Sequence, residues 1–497
     1  MTFRSKTLMA VLVLISVSTE AFSASPKIRI GSKALTEGVI LGEILTLLAD
    51  NAGANAEHRA ALGGTQIVFK ALQTGDVDAY VDYTGTIAQE LLQGKQVRDE
   101  EQMREGLARL GIGMSSRLGF NNTYAIGMKE SIAEKQQIKT ISDLARHPEL
   151  KAGLSDEFIQ RQDGWPGLKR TYRLPQEPTG MDHNLAYRAL ESNSIQITDL
   201  NSTDSEILYY KLRILEDDLG YFPQYHCVIL YRLDLPEKAP EVFTAFKQLE
   251  GKFDNAAMVE LNARAKMDRI PERLVAADCL RERFNIQLEV ARESRFDKLL
   301  STTWDHLSLV LVSLFAAVVV AIPLGIAAAK MPRFGHVILG TIGVVQTIPS
   351  MAILVFMIPF LGIGYWPAIV ALFLYSLLPI VRNTYSGLTG IPSALKESAD
   401  VLGLAKSVQL WRIELPLASP MILAGIKTAA VINVGTATIG ALIGAGGYGQ
   451  PILNGIRLNN TRLILQGAIP AALLALIAQL LFEVIERHCV PKGLRQK

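Results

Sequence analysis

An exported α/β domain followed by an all-α, polytopic membrane domain is the fold class this sequence predicts. Two observations carry the prediction. The 497 residues are 49% hydrophobic and only 20% charged, too apolar for an ordinary soluble protein and too charged for one lying wholly in lipid. The apolar residues must therefore be segregated. They are: residues 26–300 read as soluble and most of the remainder as membrane. The second observation is the alternation of short strands and helices that runs through residue 260. The net charge of +2 gives no argument for a nucleic-acid partner.

The elements follow in chain order. Residues 1–23 carry Arg4 and Lys6, an apolar run from Leu8 to Val17 and small residues at Ala21 and Ser23, the pattern of a secretory signal peptide. The run is shorter than the ~20 residues that span a bilayer, which favours cleavage over an uncleaved anchor; either way the soluble part is exported. Lys27 to Lys33 alternates and then breaks, and Thr36 to Ala49 places Ile40, Ile44, Leu47 and Leu48 at helical spacing, so the domain opens as strand, loop, helix. Five later segments, 306–329, 337–360, 365–382, 420–443 and 463–486, are long and apolar enough to span. If residue 300 lies outside, Lys330, Arg333, Arg382, Lys396, Lys406, Arg412 and the tail from Arg487 to Lys497 all fall inside. Arg457 and Arg462, in an outer loop, are the contrary signal. Cys227 and Cys279 would be exported, either paired or as free buried thiols, and Cys489 cytoplasmic and unpaired.

No phosphate loop of the form G-x-x-x-x-G-K-[ST] is present, so the chain is not itself read as an ATPase, and no zinc or nucleophile-elbow motif supports an enzyme. Gln346 to Ser350 and Gly435 to Gly444 put small and polar residues inside spans. They serve either helix packing or a pathway, where Pro349 can break a helix beside a cavity. Gly444 to Gly449 reads as an outer turn placed to form part of a gate.

One polar stretch between apolar spans has a distinctive pattern: Glu397-Ser398-Ala399-x3-Gly403-x9-Ile413-x-Leu415-Pro416. Ser393 to Leu402 favours a helix, Gly403 permits a sharp turn and Pro416 can end the element. Such a helix pair suits docking in a groove on another protein; the alternative is an amphipathic connector lying on the membrane. The pattern resembles the E-A-A loop of ABC-transporter permeases, here 385–417. The resemblance implies a cytoplasmic ATPase subunit gripping Glu397, Ala399, Gly403, Ile413, Leu415 and Pro416.

In the exported domain, Gly31-Ser32-Lys33 with Leu41-Gly42-Glu43, Leu62-Gly63-Gly64-Thr65, Asp78 to Thr86 and Asp163-Gly164-x-x-Gly167-Leu168-Lys169 resemble the substrate-binding proteins for glycine betaine, choline and related osmoprotectants. The resemblance runs from about residue 27 to 275 and implies a type II periplasmic-binding-protein fold of two lobes closing on a ligand. A quaternary ammonium offers no hydrogen-bond donor, so aromatic faces must hold it, each contributing about 0.5–2 kcal/mol. By motif the family's cage tyrosines fall on Tyr83, Tyr124 and Tyr225. A fourth aromatic is replaced by Asn201, before Ser202-Thr203-Asp204, which fits weaker binding of simple betaines or a ligand polar on that side. Arg161 is the candidate partner of a ligand carboxylate, its alternative being a salt bridge to Glu157, with Lys33, Thr65 and Thr86 as further donors.

Together these imply a fused ABC-importer subunit with a signal peptide (1–23), a binding domain (24–275), a linker (276–304), a permease domain (305–489) and a cytoplasmic tail (490–497). The chain would sit in the bacterial inner membrane as a multi-pass protein, with the binding domain in the periplasm. The implied partners are membrane lipid, a second copy related by a twofold axis, a small quaternary ammonium ligand and the ATPase, which would use the ATP; no cofactor is expected on this chain. The ligand would be glycine betaine, choline or a related betaine, or a larger trimethylammonium amino-acid betaine such as ergothioneine. A membrane sensory receptor is the rival class, and it predicts a cytoplasmic output domain where only a short basic tail follows residue 487.

Overall fold

The computed structural model describes residues 25–93, 99–161, 164–181, 183–288, 294–458 and 460–490. The expected signal peptide, Asp163, linker residues 289–293, tail residues 491–497 and the side chain of Cys489 lie outside the described residues.

The N-terminal domain folds as two lobes. The first holds β1 (Lys27–Gly31), β2 (Asn55–Arg59), β3 (Ala79–Tyr83) and β4 (Ile112–Met114). The second holds β5 (Tyr124–Lys129), β6 (Gly153–Ser155), β7 (Thr179–Met181), β8 (Thr198–Asn201) and β9 (Leu212–Ile214), and the chain then returns to the first lobe in β10 (Cys227–Arg232). The first-lobe sheet has the order β2-β1-β3-β10-β4, with β1 parallel to β2 and β3, and β10 antiparallel to β3 and β4. In the second lobe, β8-β5-β9 form an antiparallel sheet and β6-β7 a separate parallel pair. Two crossing segments join the lobes and pair at Asn121 and His226. The centre of the first-lobe sheet is buried, with β3 buried at all five positions, as expected where helices cover both faces, whereas edge strand β2 has no buried position.

The opening strand and helix form as the sequence predicts, with Ile40, Ile44, Leu47 and Leu48 of helix Thr36–Asn51 in the core of the first lobe. The domain boundary moves. Helix Glu272–Phe284 continues past residue 275 and buries Ala276, Cys279 and Leu280 in that same core, because its apolar face completes the lobe. The first membrane helix starts at Arg295 rather than 305, capped by the Ser294 side chain accepting from Phe296 N at 3.3 Å. The connecting segment is thus 285–294. Cys227 and Cys279 are free, buried thiols.

Among the described residues, four helices are long and apolar enough to cross a membrane: Phe296–Lys330, Tyr365–Thr389, Lys406–Ile443 (continuous but for changes in helix type) and Thr461–His488. The segment expected at 337–360 is a bent pair, Arg333–Thr347 and Ser350–Leu361, turned by 95°. Pro349, extended at φ −54° and ψ 136°, cannot donate to a continuing helix and disfavours helical backbone at Ile348. Small residues bring the long helices together. A Cβ on Gly325 would stand 2.6 Å from Thr384 Cβ, and one on Gly425 2.8 Å from Asn383 Cβ. Buried Asn433 donates to Ser313 Oγ across this bundle at 3.1 Å. The small-residue stretch Ala437–Ile443 tightens into a 3₁₀ turn, and the following glycine turn is packed, with Ala445, Gly447 and Tyr448 buried, rather than loose.

Candidate functional site

Tyr124, Tyr225 and Arg161 meet at the junction of the lobes. Tyr124 opens β5, directly after one crossing segment. Tyr225 ends the other, with its backbone N held by Asn121 Oδ1 at 2.7 Å and its carbonyl accepting from Asn122 N at 3.0 Å. The two rings stand edge to face with centroids 6.1 Å apart. Tyr225 lies where any side chain at residue 85 would be, its Cε1 2.4 Å from a Cβ built on Gly85. The glycine in Tyr83-Thr84-Gly85-Thr86 is therefore what admits the ring.

Arg161 is aimed by its local backbone. Ser155 caps the short helix Asp156–Gln160, its Oγ accepting from Phe158 N at 3.2 Å, and the chain becomes extended at Arg161. The guanidinium lies over the Tyr124 ring, 5.4 Å from its centroid, and donates to Tyr225 Oη at 3.1 Å. Glu90 from the first lobe and Glu157 accompany it at 3.3 and 3.6 Å. Arg161 thus makes the salt bridge to Glu157 and also lies against Tyr124 and Tyr225. Phe158, fully buried, backs Tyr124 at 5.3 Å.

Tyr83 stands deeper. It is 5% exposed, shares the first-lobe core with Tyr225, and donates its hydroxyl to Glu37. Lys33 Nζ lies 5.1 Å from the Tyr83 ring centroid and is held by Asp82 Oδ1 at 2.6 Å. Asn201 faces Tyr124 across the β5–β8 pair, so the position without an aromatic borders the cage. Its backbone N donates to Asp204 Oδ2 at 2.8 Å. Thr86 is buried three residues beyond Tyr83. Thr65 does not join this group: it begins helix Thr65–Thr74, on the side of the first lobe that faces the membrane domain.

Glu37 was not legible as a site residue. It sits on the buried face of the first helix and gathers Tyr83 Oη, Asn122 Nδ2 at 3.0 Å and Asn262 Nδ2 at 3.1 Å. Burial pushes its pKa up, opposed by hydrogen bonds from Thr203, Tyr83, Asn262 and Asn122. Burial likewise raises the Tyr83 and Tyr124 hydroxyls, with Glu37 and Glu157 adding to it. His183 braces the Asn201–Asp204 loop, with Nε2 3.2 Å and Nδ1 3.7 Å from Asp204 and Asp199 carboxylate oxygens. Burial pulls its pKa down, but the two aspartates outweigh it and push it up to about 10.

The second candidate region is the polar segment of the membrane domain. Helix Ser393–Val401 is followed by Gly403 at φ +67°, then by helix Lys406–Gln409. Glu397, Gly403 and Pro416 are exposed, Ile413 and Leu415 half-buried and Ala399 buried. Buried Glu414 pairs with Lys330 at the end of the first membrane helix at 2.5 Å. Val401, Leu402 and Trp411 are 88, 74 and 69% exposed, a density of exposed apolar surface that fits a protein partner.

A two-lobed binding domain joined to a helical bundle with such a segment defines a receptor fused to an importer permease. Residues 26–282 match the substrate-binding domain of ABC-type glycine betaine transport systems, and residues 321–492 match the inner membrane component of binding-protein-dependent transport systems. The chain belongs to both families, which are transporter families rather than enzyme families. It is similar to the choline transport system permease protein OpuBB of Bacillus subtilis (strain 168), 42% identical over 199 residues that cover 40% of this chain and 92% of that protein. It is also similar to the ergothioneine transport permease/ergothioneine binding protein EgtU of Helicobacter pylori (strain G27), 34% identical over 260 residues that cover 50% of this chain and 46% of that one. A crystal structure of a glycine betaine/carnitine/choline ABC transporter aligns with 28% identity and a TM-score of 0.48, covering 51% of this chain and 98% of that one.

Proposed function

We propose that this chain carries a zwitterionic quaternary ammonium compound across the bacterial inner membrane, with its binding domain in the periplasm. The observation that carries the ligand class is the Arg161 guanidinium lying on the Tyr124 ring and bonded to Tyr225. The site already holds a large, weakly hydrated cation against aromatic faces, and a ligand cation can take that place. A ligand carboxylate would draw the guanidinium off the ring and pair with it bidentately. Choline has no carboxylate to do so. Glycine betaine fits this exchange; Asn201, in place of an aromatic, leaves a polar wall suited to a larger amino-acid betaine.

Two copies would pair about a twofold axis to enclose the pathway. Two cytoplasmic ATPase subunits would grip the exposed Val401, Leu402 and Trp411 beside Glu397, and use the ATP. The Lys330–Glu414 pair would pass their movement to the first membrane helix. The placement of the binding domain supports the orientation: it rests on the end of the bundle that carries Gly362 and Gly444, opposite the end that carries Lys330 and Glu414.

The test is titration of the purified chain with glycine betaine, choline, carnitine, proline betaine and ergothioneine, paired with ATP-driven uptake in vesicles that also hold the ATPase. Betaine binding tighter than choline binding by about tenfold or more, the margin a paired carboxylate should add, is the expected result. Equal affinities would remove the role given to Arg161, and uptake of none of the five would remove the assignment.

A further inference from the structure

The first lobe rests on the membrane domain of the same chain. Leu62, Val68 and Leu72 share one buried apolar cluster with Ile353, Ile358 and Ile443. Two outer turns meet the lobe so closely that a side chain on either would have to displace Leu62 or Asp76. A Cβ on Gly444 would stand 2.7 Å from Leu62 Cδ2, and one on Gly362 2.6 Å from Asp76 Oδ2. At the other edge Arg457 Nη2 donates to Glu272 Oε1 at 2.5 Å, with the two side chains only 10 and 16% exposed. Nε and Nη1 of Arg457 are buried without a partner among the described residues, so withdrawing Glu272 would leave a buried charge uncompensated. This pairing also accounts for Arg457 on the side of the membrane where the charge rule does not place it.

All of these contacts belong to the first lobe, whereas Arg161 and Asn201 belong to the second. Glu272 begins the helix, Glu272–Phe284, from which the connection to the membrane departs. Residues 285–294, between that helix and Arg295, can reach at most ~35 Å when fully extended. A receptor so tethered meets its dock at a local concentration near the millimolar range.

Resting on the transporter reading above, we propose that this face is a standing latch. The first lobe stays docked in cis on its own permease half through Glu272–Arg457 and the Leu62–Gly444 contact, and only the second lobe moves as the cleft opens and closes. Ligand loading is then sensed by the permease as a displacement of the second lobe, with no docking and release of the whole receptor.

The full-length chain carrying Glu272→Cys and Arg457→Cys, with a protease site between residues 288 and 294, tests this in native membranes. A short bifunctional maleimide is applied with and without glycine betaine, and the tether is then cut. The two halves are expected to migrate together under both conditions. Differently tagged chains, one carrying Glu272→Cys and the other Arg457→Cys, should be joined at least about tenfold less, since a tethered partner outcompetes a free one. Halves that separate, or that join mainly between chains, overturn the latch. In cells, uptake of radiolabelled glycine betaine by the crosslinked protein should stay within about twofold of the untreated variant, the scatter of independent changes; a tenfold loss on crosslinking overturns the claim that the first lobe stays docked. Glu272→Arg should lower uptake about tenfold through like-charge contact, and adding Arg457→Glu should restore it; a double reversal as defective as the single one removes the ion pair's role and separates it from misfolding. Absence of uptake by the unsubstituted chain counts against glycine betaine as cargo, and the crosslinking yield still decides the latch.

Discussion

The ligand site and the polar segment of the membrane domain solve recognition in opposite ways. Around the cage, polar groups are committed inside the protein: Arg161 is held by Tyr225, Glu90 and Glu157, Tyr83 by Glu37, and Lys33 by Asp82. At the polar segment, apolar side chains are left in the open, with Val401, Leu402 and Trp411 more than two-thirds exposed. The difference matches the roles proposed for the two regions. A small cation would be enclosed on all sides, so selectivity would come from partners fixed in advance, and each unmet group inside the cleft would cost binding energy. A protein partner is met on one face, so what matters is apolar area still available to bury.

This contrast predicts where damage should appear. The largest effect on ligand should come from Tyr124→Ala, which removes the face on which Arg161 lies. Betaine affinity should fall by roughly 30- to 100-fold, about 2–3 kcal/mol, in calorimetry on the purified chain, and a loss below threefold would mean that the cation sits elsewhere. Next is Glu37→Gln. Tyr83, Asn122 and Asn262 all aim donors at this carboxylate, and an amide NH₂ would oppose one of them, costing about 1–3 kcal/mol in stability of the binding domain. Chemical denaturation reads this; an unchanged midpoint would show Glu37 to be protonated and already donating.

Gly403→Val probes the other side of the comparison. A β-branched residue at φ +67° is strained by roughly 1–2 kcal/mol, and it should lower ATP-driven uptake while leaving ligand affinity unchanged. Equal loss of both would break the separation of the two regions. The last effect concerns pH. The folded pKa of His183 is raised to about 10, so its contribution to stability is fully present below the ordinary histidine value near 6.5 and is lost as pH rises through about 10. The Asp199 and Asp204 carboxylates on either side carry that dependence. His183→Gln should therefore flatten the decline in stability between those pH values; an unchanged slope would mean that another group carries it.

The residues of the candidate site were readable where they sit in short motifs. Tyr124 and Tyr225 were placed by family resemblance, and the fold brings both against Arg161. Glu37 was not, because an acidic residue in the first turn of an apolar helix normally marks a solvated helix start; only the packing shows it facing inward. Thr65 was read into the cage from its motif, yet the fold turns that loop toward the permease. Ala276, Cys279 and Leu280 were read as linker because the apolar face of a 13-residue helix is distinctive only once there is a core for it to complete.

By itself the sequence determined the order of the two domains, the position of the apolar spans, the aromatic residues at the cleft and the polar segment between spans. The domain order and the spans follow from composition and periodicity within a window of a few tens of residues, where local propensity and burial act together; the aromatic residues and the polar segment follow from short motifs by family resemblance. The tertiary structure decided the rest: that Glu37 is bonded by Asn262, 225 positions away, that Arg161 takes its place on Tyr124, that the second span bends by 95°, and that Arg457 answers Glu272 across the two domains. Those outcomes depend on which distant groups share a buried volume. There, a charge or donor must find its partner wherever the folded chain happens to bring one.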